Sequence, residues 1–186
     1  MNRELRRELL VFASLVAFGA LGRQPELQPA WNFTPLAAAT MLGAYYFRSL
    51  LPSILLPLSI LTVANLCLAP HDNLWVPISV YAMSLLPVAL GRAARGAEGW
   101  RRAACWGMCG FVPATTFFVV TNFAVWASRS MYPTTLAGLA DCYVRALPFY
   151  RTMLAGDVCY VSLMAACLAA AQLLERRTLA AELINR

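Results

Sequence analysis

Six apolar runs, over residues 8–22, 34–49, 51–69, 74–91, 104–127 and 154–174, occupy most of this chain, and each is parted from the next by a short polar or proline-bearing segment. Runs of this kind approach the ~20 residues a helix needs to cross a bilayer. Hydrophobic residues make up 60% of the 186 and charged residues 13%, with a mean hydropathy of +0.61. A soluble domain of this size would not tolerate that balance. Lipid cannot satisfy open strand edges, and alternating strand patterns are absent, so the runs read as helices. The expected fold is an all-α integral membrane protein, a six-transmembrane-helix bundle forming a single domain over residues 1–186. The first run follows Arg3, Arg6 and Arg7, as a secretion signal would. Glu4 and Glu8 dilute that basic start and Leu21-Gly22-Arg23-Gln24 lacks a small-x-small cleavage site, so a retained helix is expected.

All fifteen basic residues are arginine, and the net charge is +6. With the amino terminus inside, eleven arginines fall on the inner side and Arg23, Arg129, Arg145 and Arg151 on the outer side. That bias predicts both termini cytoplasmic. It also accounts for the positive charge without nucleic acid. The cluster Arg92, Arg95, Arg101 and Arg102 reads as a topology signal facing anionic lipid.

In this orientation the unusual residues collect on the outer side. The third run ends in Asn65-Leu-Cys67-Leu-Ala-Pro70-His71-Asp72. Cys67 and the single histidine, His71, are four apart and share one face of any helix carrying both. A thiol and an imidazole at the mouth of a span suit a transition-metal centre or a cofactor containing one. The plain alternative is a buried thiol followed by a Pro-His-Asp turn, and local sequence leaves the two open. Polar residues inside apolar spans face the bundle interior. Asn65, Asn122 and Asp157 are the main cases. Asn122 reads as interhelical hydrogen bonding, and Asp157 equally as interhelical glue or as a ligand contact. The long connection 128–151 has Leu136, Leu139, Tyr143 and Leu147 at helical spacing, which predicts an amphipathic helix lying on the mouth of the bundle. Its tyrosines suit either a flat ligand or an interfacial aromatic belt.

No nucleotide loop, paired catalytic carboxylates or H-E-x-x-H helix is present, and a dedicated enzyme is not expected. Cys105 and Cys109 are four apart and do not form a C-x-x-C pair, while Cys159 and Cys167 read as packing residues. Cys142 faces an oxidising compartment in this topology. Ala13 and Ala17 on the first run, like Ala165, Ala166, Ala169 and Ala170 on the last, allow close helix contact.

Six helices in under 200 residues with an outward-facing site resemble the substrate-binding S components of energy-coupling-factor (ECF) vitamin transporters. Asn32-Phe33-Thr34-Pro35, Thr121-Asn122-Phe123 with Trp126, Met131-Tyr132-Pro133 and Gly156-Asp157 also resemble a related family of small bacterial membrane proteins. The resemblance implies a multi-pass protein of the bacterial inner membrane that takes up a vitamin. It further implies an Ala13/Ala17 face for a coupling subunit that works with ATPases.

Within that group the chain is most similar to the solitary cobalamin (vitamin B12) transporters of Gram-negative bacteria, in which a cysteine sulfur ligates the corrinoid cobalt. The resemblance carries that role to Cys67, with His71 as the other candidate. Asp72, Tyr81, Tyr143 and Asp157 become contacts to the ligand. Cobalt–thiolate coordination would weaken the opposite axial bond, making loss of cyanide from cyanocobalamin an expected side activity. Met1-Asn2-Arg3 lacks the amino-terminal histidine motif of related nickel and cobalt-ion transporters, which disfavours free metal ions as cargo. The alternatives are an S-component-like binder of a metal-free organic ligand, and a structural or assembly membrane protein.

Overall fold

A computed structural model describes residues 2–66, 74–129 and 131–184, the side chains of residues 176 and 179–184 excepted. Every regular element among the described residues is helical: α1 (Arg3–Leu21), α2 (Leu36–Tyr46), α3 (Leu50–Asn65), α4 (Trp75–Met83), α5 (Leu86–Gly96), α6 (Gly99–Cys109), α7 (Val112–Ala127) and α8 (Leu136–Ile184), with one 3-10 turn at Pro25–Leu27.

Helix α1 starts where the Asn2 side chain accepts the Glu4 N–H, an N-cap that satisfies one orphan donor of the first turn. α2 is the centre of the packing and touches α1, α3, α5, α6 and α8. It is apolar on all sides, as a fully surrounded helix must be, and Ala37, Ala38, Ala39, Thr40, Met41, Gly43 and Ala44 are buried. Its small residues let neighbours approach closely, above all α5. Two apolar clusters flank it. One joins Met41 to Cys105, Trp106 and Cys109 of α6 and Val161 of α8. The other joins Ala39 and Phe47 to Leu15 of α1 and Leu56 and Ile60 of α3.

Two apolar runs that read as single spans are each built from two helices. α4 ends at Ser84, whose hydroxyl donates to the Tyr81 carbonyl at 2.7 Å, and α5 restarts with Pro87 in its first turn. α6 ends at Gly110, and α7 restarts through Phe111 with Pro113 in its first turn. A proline has no N–H to continue the ladder and its ring crowds the carbonyl four residues back. Pro87 and Pro113 therefore part each span at mid-length. Taken through their breaks, Trp75–Gly96 and Gly99–Ala127 are long and apolar enough to cross a membrane, as is Leu136–Glu175. α3 is a shorter apolar helix, α2 has 11 residues, and α1 carries Arg3, Glu4, Arg6, Arg7 and Glu8 in its first turns.

The connection expected at 128–151 with a separate surface helix is different in the structure. Thr135 accepts the Gly138 N–H at 3.1 Å, and from Leu136 onward the chain is one helix through Pro148. The charges within the helix compensate one another, because Arg145 Nε lies 2.9 Å from Asp141, one turn back. The Thr152 hydroxyl oxygen lies 3.0 Å from the carbonyl of Phe149 just past the proline.

Candidate binding site

The loop between α1 and α2 is tied down by its own polar side chains. Gln28 donates to the Arg23 carbonyl at 2.8 Å and accepts the Asn32 N–H at 2.8 Å. Asn32 has φ 65°, a left-handed conformation that asparagine tolerates better than most residues. Thr152 of α8 donates to the Trp31 carbonyl. Gly156 lets the loop lie on α8, since a Cβ there would come within 3.1 Å of Phe33 Cα and of the Thr34 N. The next residue along α8 is Asp157.

This arrangement borders a half-open cavity of about 60 Å³ lined by Arg23, Asn32, Thr34 and Asp157 together with the first turns of α2, α5 and α7. Leu36 and Ala37 supply the α2 wall, Pro87 that of α5, and Pro113 and Ala114 that of α7. The volume suits one small polar group or a few waters. The N-terminal turns of α2, α5 and α7 bring the positive ends of three helix dipoles to the cavity, while Met83 at the C-terminal end of α4 also borders it.

Asp157 is 5% exposed, and its carboxylate faces the backbone N–H of Ala114. It stands at the start of α7 as an N-cap supplied from another helix, offsetting the missing side-chain cap at Phe111. Arg23 has no such compensation. Its Nε is buried without a hydrogen-bond partner, and among the described residues the ion pair is Arg145–Asp141, not one involving Arg23. Burial lowers the Arg23 pKa, opposed in part by nearby Tyr81. Asp157→Ala is expected to lower the unfolding free energy by about 1–2 kcal/mol through loss of the cap. Asp157→Asn, whose amide oxygen still accepts the Ala114 N–H, retains most of it. Thermal midpoints of the two variants in detergent check the difference.

A second cavity of about 160 Å³ adjoins the first and shares Asn32, Phe117 and Met153 with it. Its remaining wall is half aromatic and half small or polar: Phe118, Phe149 and Tyr150 stand with Thr121, Asn122 and Ala146 between α7 and α8. The rings brace one another. Phe118 lies 4.7 Å from Tyr150 between centroids, and the Tyr150 hydroxyl is 3.0 Å from that of Thr115.

Of the residues expected to bind a ligand, Asp157 is in the first cavity. Tyr143 lies behind the second, donating to the Val119 carbonyl at 2.7 Å with its ring against Phe118. The Tyr81 hydroxyl is 3.2 Å from Thr62 Oγ1 and 3.5 Å from Asn65 Nδ2 on α3, outside both linings. Cys67, His71 and Asp72 lie outside the described residues. Ala13 and Ala17 are exposed on α1. Asn122 donates to the Phe118 carbonyl within its own helix at 2.7 Å, rather than across helices as expected. Cys105, Cys109, Cys142, Cys159 and Cys167 are free thiols. Arg23, Phe117 and Phe118 were not anticipated: Arg23 had counted only toward the charge balance, and the two phenylalanines are indistinguishable in sequence from lipid-facing ones.

The architecture defines an all-helical protein with helices fit to cross a membrane and a cavity carrying a few polar side chains at the point where two of them are interrupted. Over residues 3–181 the chain matches a family of unknown function, DUF6580, and belongs to it. No curated protein and no solved structure matches it.

Proposed function

We propose that this protein is the solute-binding component of an uptake system in the bacterial inner membrane and takes a vitamin-like organic solute at its outer face. The observation that carries this reading is the cavity at the breaks of two apolar segments, apolar over most of its wall and carrying Arg23, Asn32, Thr34 and Asp157. Interrupted helices whose N-termini point at a solute are a recurring device of secondary transporters. In this reading α1, α2 and α3 join the three long segments as six crossings, and the arginine distribution sets both termini inside. The exposed Ala13 and Ala17 face is then open to a coupling subunit.

Cobalamin is the ligand to test first, with Cys67 on cobalt as the resemblance to the solitary cobalamin transporters implies. A corrin ring far exceeds a cavity of about 60 Å³, so the cavity would admit a peripheral group while the ring stays at the mouth. The test is an ultraviolet–visible spectrum of protein purified from cells grown with cobalamin, wild type beside Cys67→Ala. Corrinoid bands that shift in the variant support the cobalt–sulfur bond, and bands unchanged by it remove Cys67 from the coordination. A folded wild type without corrinoid bands leaves the metal-free binder. The second cavity favours that reading too, since its aromatic wall suits a flat organic body.

A further inference from the structure

We infer that the paired cavities form one site for a carboxylate carried on a single planar ring, an aromatic or heteroaromatic acid. The inference rests on the solute-binding reading above and names the substrate class of that site.

The charge balance of the first cavity selects an anion. Asp157 is already met by the Ala114 N–H and by the positive end of α7. Arg23 is met by no carboxylate among the described residues, and its Nε is left without a partner in a buried position. Arg23 is half-buried and without a carboxylate partner among the described residues, and a planar guanidinium matches a carboxylate through two parallel N–H donors. The α2 N-terminus adds to the same preference. Its cap residue is Pro35, no side chain caps it, and Leu36 and Ala37 stand in the cavity wall. Thr34 and Asn32 supply further polar groups at the edge.

The second cavity selects what the carboxylate is attached to. At about 160 Å³ it is close to the ~150 Å³ of an apolar cavity known to hold benzene. Phe117, Phe118, Phe149 and Tyr150 give a π-rich lining suited to a ring in stacked or edge-on contact. Asn32, Phe117 and Met153 border both cavities, so a group joined directly to the ring lies at the junction. An inorganic anion would leave the aromatic part unfilled.

The full chain in nanodiscs, with empty nanodiscs as control, is titrated with benzoate, benzamide and acetate by saturation-transfer NMR. Benzoate is expected to bind saturably, with benzamide and acetate at least tenfold weaker. Arg23→Gln should weaken benzoate at least tenfold and leave benzamide unchanged, while Arg23→Lys recovers part of the loss. The benzoate–benzamide comparison is made on wild type and so does not depend on the variants folding. Equal binding of benzoate and benzamide would overturn the role given to Arg23. Absence of saturable benzoate binding in protein that binds cobalamin would overturn the inference and leave the uptake reading standing. Folded protein that binds neither would remove both.

Discussion

Gly91→Ala is expected to destabilise the protein by about 3 kcal/mol, the upper end of ordinary overpacking, whereas Gly107→Ala is expected to stabilise it by about 0.5–1 kcal/mol. Both glycines lie inside helices, so propensity alone would favour alanine at each. The neighbours differ. A Cβ on Gly91 would come 2.5 Å from the Met41 carbonyl oxygen and 2.8 Å from Ala44 Cβ, while one on Gly107 meets nothing within 4 Å. The obstacle at Gly91 is backbone, so no side chain can turn aside. α2 and α5 would have to part along the closest helix contact of the core. Thermal midpoints in one detergent provide the comparison, with about 2–4 °C expected per kcal/mol at this chain length. Midpoints that move together would refute the packing argument.

The double variant Arg92→Met/Arg95→Met is expected to lose about 2–4 kcal/mol, counting charge-assisted bonds at about 1.5–3 kcal/mol each and discounting for partial exposure. Arg92 donates to the Phe47 carbonyl at 3.2 Å and the Arg48 carbonyl at 2.8 Å. Arg95 donates to the Tyr46 carbonyl at 3.2 Å and also to that of Phe47. These oxygens lie at and just past the end of α2, where a cation also opposes the negative end of its dipole. The sequence suggests only a topology signal for this cluster, and a lysine pair separates the two roles. Arg92→Lys/Arg95→Lys keeps the charge that orients insertion but replaces each planar fork with a point donor. Insertion should then be normal, with only part of the thermal stability recovered. Full recovery would reduce these arginines to their charge.

What could be read from the sequence follows the range of the interactions involved. Helix and apolar-segment assignments rest on local hydropathy, and every regular element among the described residues is helical. Asp157 stood out because a carboxylate inside an apolar run is expensive wherever it lies. The breaks before Pro87 and Pro113 were within reach, since each proline marks a missing bond, but continuous hydropathy across them masked the interruption. Arg23 was out of reach. Its importance comes from a loop folding back onto Gly156 of a helix far along the chain, and no local pattern encodes that approach. The same holds for Arg92 and Arg95, whose partners lie more than forty residues upstream. The continuity of α8 was obscured for another reason. Asp141 and Arg145 lower its apparent hydropathy, yet they pair along the helix and leave it intact.

Helix α8 has 49 residues, about 74 Å of rise at 1.5 Å per residue. A hydrocarbon core of about 30 Å takes up less than half of that. A crossing by this helix would leave more than half of it in headgroups or water, and Pro148 is the one proline along it. Phe149 and Tyr150 border a cavity near one end, while the segment beyond Glu175 runs to the other. A tilt imposed at those aromatic rings is carried the length of a mast, and its far tip sweeps an arc that grows with distance from the fulcrum.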